Sequence, residues 1–206
     1  VVWLAHAGSG CHKMLAATTA GDGKVYFGGR WYRNGIGGGL AWWDIEEGKA
    51  AGIYEPFINY QVHYMTTADE GRYVVCSTAA VRGAINNTPK PPQAQLLIFD
   101  TQKMKIVRTV EPVPGADWTG PVAGVGRAVL GITFNPAERV PEKKQGRFAL
   151  TYGYADRTAI LYRVNVETGE VEWKKTLPWP VGFRTNENAQ GKDGFDFRLG
   201  PDGMIW

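Results

Sequence analysis

His63 and Asp196 are the side chains of this sequence best suited to acid/base or metal chemistry. A histidine changes charge near neutral pH and ligates metals through either ring nitrogen. A carboxylate facing it would complete a proton-transfer pair. A second group is Asn186-Glu187-Asn188, three adjacent oxygen-bearing side chains. Oxygen is what a hard divalent cation takes. The third group suits binding more than bond-making: Arg30, Trp31, Tyr32, Tyr60, Gln61, Asp117, Trp118, Arg184 and Asn186. Trp, Tyr and Arg anchor protein interfaces, and rings mixed with amides also suit a small polar ligand. No nucleophile–base pair stands out beside these groups.

Composition narrows the classes. The apolar fraction is 44% and the charged fraction 21%, both ordinary for a globular chain. A net charge of +3, with the charges interspersed, argues against nucleic acid as a partner. No run of ~18 apolar residues is present, so no transmembrane segment is expected. The two cysteines, Cys11 and Cys76, make no disulfide framework. Cys76 reads as a small buried thiol in an apolar strand. Three motif-like strings fall away. Cys11-His12 lacks the preceding Cys of a haem attachment site, because Gly8 stands there. Gly35–Gly39 does not sit between a strand and a helix, so it is no phosphate loop. Asn86-Asn87-Thr88 is a formal sequon followed by Pro89.

The elements that must position these side chains announce themselves by repetition. Thr18-Thr19-Ala20-Gly21-Asp22-Gly23-Lys24 returns 48 residues later as Thr66-Thr67-Ala68-Asp69-Glu70-Gly71-Arg72. A looser copy, Gly200-Pro201-Asp202-Gly203, ends the chain. Repetition at this period means stacked similar units. With 27 Gly, 12 Pro and abundant aromatics, the units should be short strands joined by tight turns. Gly23, Gly71, Gly146 and Gly203 serve as anchors, each closing a hairpin turn where positive φ is needed. Second strands are expected at 24–28, 72–76 and 147–151. Third strands are expected at 40–44, 96–100 and 160–165, each ending in Asp or Asn, whose side chains can bond backbone N–H groups two residues on. Fourth strands should end near Tyr54, Val110 and Leu177. The stretch from Arg82 to Gln93 reads as an insertion between second and third strands, and that from Pro136 to Gln145 as a widened first turn in unit three.

Four antiparallel strands per unit, radially repeated, define a β-propeller. The expected fold is all-β: a single partial propeller domain spanning the chain, with units at about 12–54, 60–110 and 120–177 and the start of a fourth at 195–206. Leu161–Trp173 resembles the repeat of quinoprotein-like propellers, in which an Asp, a Thr-Gly and a blade-docking Trp recur. Here Asn165 replaces the Asp, while Thr168, Gly169 and Trp173 match. Units one and two depart, with Gly52 in the Trp position and no Thr-Gly in unit two. The ending, Gly200–Trp206, looks like the streptogramin-lyase and lactonase-like propellers. These resemblances slightly favour a soluble periplasmic or extracellular protein.

A propeller closes with ~4–8 blades. The chain begins at Val1 and stops early in a fourth unit, so the expected partner is the remainder of the same propeller or another protein. The resemblance places ligand sites at one end of the blades, in loops Gly29–Gly39, Glu55–Val62, Thr78–Ala94, Glu111–Gly126, Gly153–Thr158 and Pro178–Phe195. The first expectation is a binding or scaffold module presenting that end to a protein partner or polar ligand. The alternative is a lactonase- or lyase-type enzyme with a divalent cation held by Asn186, Glu187 and Asn188, or worked by His63 and Asp196 at the channel. The third is part of a quinoprotein-type dehydrogenase.

Overall fold

The computed structural model describes residues 13–30, 38–57, 59–80, 91–138 and 158–180. Among these residues, twelve strands fall in three sheets. The first joins β1 (Lys13–Thr19), β2 (Lys24–Arg30), β3 (Gly38–Asp44) and β4 (Lys49–Ile53). The second joins β5 (Tyr60–Ala68), β6 (Tyr73–Ala80), β7 (Leu96–Asp100) and β8 (Lys105–Val110). The third joins β9 (Val122–Val125), β10 (Ala128–Phe134), β11 (Thr158–Asn165) and β12 (Val171–Pro180). Every sheet is an antiparallel meander in chain order. Strand β5 packs against both β1 and β9, so the first strand of each sheet is the inner one. The fold is an all-β partial propeller, as the repeat implies.

The third sheet departs from the expected boundaries. Its second strand is Ala128–Phe134, which pairs with β9 on one side and β11 on the other. The turn before it is Gly126-Arg127, with Gly126 at φ 56°. Gly146 therefore does not close that hairpin. The Pro136–Gln145 stretch lies between second and third strands, as the insertion of sheet two does. The expected strand at 147–151 lies outside the described residues.

Burial follows from the middle position of sheet two. Side chains alternate across a strand, and here both faces are covered. On β6, Val74 and Cys76 point into a core shared with Tyr26, Leu40 and Phe57, while Tyr73 and Val75 join one with Val129, Tyr162 and Val164. On β7, Leu97 and Phe99 take the first side and Leu96 and Ile98 the second. A strand covered on both faces reads as a continuous apolar run, which is why YVVC and LLIF lack polar alternation. Phe99 meets Tyr26 and Trp42 of sheet one at centroid distances of 5.8 and 5.7 Å. Each fully buried ring of this size contributes roughly 1.5–3 kcal/mol. Trp173 on β12 is 40% exposed.

The Asx expectation holds in all three sheets. Asp44 Oδ1 accepts from the N–H groups of Glu46 and Glu47 at 3.1 and 2.9 Å. Asp100 Oδ1 accepts from Gln102 and Lys103 at 2.9 and 3.1 Å. Asn165 Oδ1 accepts from Glu167 and Thr168, both at 3.0 Å. Four residues after each, the backbone turns left-handed, at Gly48, Met104 and Gly169. The residue after each cap then donates its N–H back to the first hairpin: Ile45 to Gly23 O, Thr101 to Arg72 O and Val166 to Arg127 O.

Candidate functional site

The sheets differ sharply at their two ends. At one end the connections are tight: 20–23, 69–72 and 126–127 between first and second strands, and 45–48, 101–104 and 166–170 between third and fourth. At the other end the strands are separated by 31–37, 81–95 and 135–157, and the sheets by 54–59 and 111–121. Long connections are where binding residues concentrate on a rigid scaffold.

Four of the sequence-predicted residues are brought to one row at this second end. Arg30 ends β2 and pairs in register with Gly38. Gly38 lies against the backbone of Tyr60 and Gln61, so closely that a Cβ on it would meet Tyr60 O. Its N–H bonds Phe57 O at 3.2 Å. Tyr60 begins β5 and pairs with Ala80, whose N–H bonds Asp117 O at 2.9 Å. The row thus runs Arg30, Gly38, Tyr60, Ala80, Asp117, with Gln61 beside it. Arg30, Tyr60, Gln61 and Asp117 are all half-buried. The Tyr60 phenol is pushed above its ordinary pKa, first by burial and then by the charge of Glu111. It therefore stays protonated at neutral pH and offers an O–H.

Trp118 belongs to the seam instead. Beyond the last β6–β7 pair, Ser77 with Leu96, the linker takes the place of β7 and bridges Ala79 with Trp118. The indole is 4% exposed, stacked on Phe134 at 5.4 Å and tilted against Tyr64 at 5.8 Å. Around it runs a buried polar network. Thr119 Oγ1 accepts from Thr78 N at 2.8 Å and donates to Thr78 O at 3.1 Å. Ser77 Oγ meets Thr119 Oγ1 at 2.8 Å and Gly120 O, and Tyr162 OH donates to Thr119 O at 2.6 Å. Burial raises the Tyr162 phenol far above its ordinary pKa and keeps it a donor. Trp118 is unavailable as a surface anchor while this seam is intact.

His63 is the extra residue of a bulge in β5, between the register pairs of Val62 and Tyr64. Leu15 holds the equivalent bulge in β1. A bulge re-aims a side chain, and His63 Nε2 lies 3.4 Å from Gln61 Oε1. Trp31, Tyr32, Arg184, Asn186, Glu187, Asn188 and Asp196 lie outside the described residues. The described residues hold no group of three His, Cys, Asp or Glu placed to bind a metal ion.

Sequence reasoning did not single out Glu111, Gln93 and Gln95 for the site, although they shape the same end. Gln95 Nε2 donates to Glu111 Oε1 at 3.0 Å, and Gln93 Oε1 accepts from Gly115 N at 2.8 Å. These bonds fix the segment entering β7 against the linker leaving β8. The signal was two proline-rich stretches, Pro91-Pro92 and Pro112–Pro114, which pre-set an extended chain.

At the opposite end a cavity of about 440 Å³ lies between the tight turns, lined by Thr19, Ala20, Thr67, Asp69, Glu70 and several glycines. Asp69 N bonds Gly126 O at 2.6 Å, and Asp69 Oδ1 accepts from Arg127 Nε at 3.3 Å.

Three meandering four-stranded sheets with inner strands side by side define the class: a β-propeller segment. Among solved structures the chain is similar to the Dos1 propeller, with a TM-score of 0.51 and 11% identity over 93% of this chain and 41% of that one. It also matches the RRP9 WD40 repeats (TM-score 0.49, 11% identity, 78% of this chain and 38% of that one). A third match is the propeller of the Trilobed protease from Pyrococcus furiosus (TM-score 0.47, 9% identity, 81% and 44%). The chain spans less than half the length of each of these structures. No family model matches the sequence, and no curated protein does. The comparisons support the propeller class and no particular propeller family. No helix among the described residues is long and apolar enough to cross a membrane.

Proposed function

We propose that this chain is a propeller binding module whose long-loop end receives a protein partner or a polar ligand. The observation that carries the reading is the row Arg30–Gly38–Tyr60–Ala80–Asp117. It places the backbones of Arg30, Tyr60 and Asp117, which carry a guanidinium, a protonated phenol and a carboxylate, along one edge shared by two sheets, with Gln61 the next residue of β5. Hydrogen bonds and close backbone contacts fix their backbones, so little ordering is left for binding to impose. Rigid aromatic and Arg groups at the rim of long loops are the kind that dominate interface energetics. Trp31, Tyr32 and Arg184, which the sequence assigns to the same end, would extend the surface.

The test compares the two ends of the molecule in the full natural protein. Partners would be identified by crosslinking and mass spectrometry from native cells, for wild type, for Arg30→Glu with Tyr60→Ala, and for the tight-turn variant Glu70→Lys with Lys103→Glu. The proposal expects partners lost from the first variant and kept by the second. The same partner set on both variants, with both folded by circular dichroism, would sink it.

A further inference from the structure

We draw no further inference here: the strongest candidate, the cavity of about 440 Å³ between the tight turns of β1, β5 and β9, is lined by glycines of which Gly71 and Gly124 are already required by close packing between sheets and by an acidic pair of which Asp69 is held by Arg127, and nothing in the structure shows what would fill it.

Discussion

Gly71 sits against the carbonyl of Ala20, so closely that a Cβ on Gly71 would fall inside the contact radius of that oxygen. Both belong to the phrase that occurs twice in the sequence, one copy in each of two neighbouring sheets. The turn of sheet two is therefore also the docking point for sheet one. The backbone at Gly71 is left-handed as well, at φ 89°. Gly71→Ala is expected to destabilise by about 3 kcal/mol or more, adding left-handed strain to a backbone clash. Gly23 has a similar φ of 77° but open space around it. Gly23→Ala should cost only about 1 kcal/mol. Urea unfolding of the two variants checks this, and equal losses would remove the docking role.

The repeated caps give a second expectation. Asp100 is 1% exposed, and its Oδ1 satisfies two backbone N–H groups. Its Oδ2 lies 3.6 Å from Arg72. Asp100→Ala leaves both N–H groups without their acceptor and should cost about 2 kcal/mol. Asp100→Asn keeps the acceptor and should retain most of that stability. Sheet three already uses Asn165 in the same role, with the same two bonds. If Asp100→Asn falls as far as Asp100→Ala, the Arg72 contact and not the cap is what matters.

The charged corner of sheet one should shape the pH profile. The backbone N–H of Glu47, and after it the Lys24 ammonium, hold the Asp44 carboxyl below its usual range. Lys24 is raised, chiefly by its bond to Asp44 at 3.1 Å. A depressed carboxyl contributes stability above its unfolded pKa of about 3.9 and loses it as pH falls through the folded value. A raised lysine contributes below about 10.4 and loses it as pH rises through its folded value. The contribution of this pair should therefore be flat between these limits and decline beyond both. In Asp44→Asn the acid decline should be shallower, because the capping oxygen remains and the titrating group is gone. Thermal melts from pH 2 to 7 that superimpose for the variant and wild type would contradict this.

Much of the fold was legible because local chemistry and tertiary structure agree. Asp44, Asp100 and Asn165 are needed by their own turns, so their spacing survives in the sequence whatever lies around them. The hairpin of sheet three was not legible. Its first strand, Val122–Val125, is four residues long and carries Gly124 inside it. That glycine is demanded by a contact with Thr67 O of sheet two, which no local pattern reveals. Gln145-Gly146-Arg147 imitates the missing turn, ahead of an apolar run. Trp118 was misleading for a related reason. A linker residue becomes a strand residue only because β6 outlasts β7, and that is set by pairing between distant segments. The row of Arg30, Tyr60 and Asp117 was legible as loop-end membership, but its continuity required the Gly38 contact.

The same distinction decides which variants can report on binding. Trp118 and Phe57 are the aromatic residues that the two described linkers bury, at 4% and 0% exposure. Trp118 packs with Ile132, Phe134 and Ala159 of sheet three, and Phe57 with Leu40 and Val62 across the other seam. Removing either ring should cost about 3–5 kcal/mol, because the surrounding sheets relax only partly into the space. Asp117, one residue earlier, contributes its backbone carbonyl to the seam and keeps a half-buried side chain. Asp117→Ala keeps that carbonyl and buries no ring, so it should cost far less than either ring deletion. Denaturant midpoints should separate the pair, with a large drop for Trp118→Ala and a much smaller one for Asp117→Ala. Lost partner binding in Asp117→Ala would then reflect the surface itself, whereas the same loss in Trp118→Ala would follow from an opened seam. A Trp118→Ala protein as stable as wild type would show that the indole does not hold sheets two and three together.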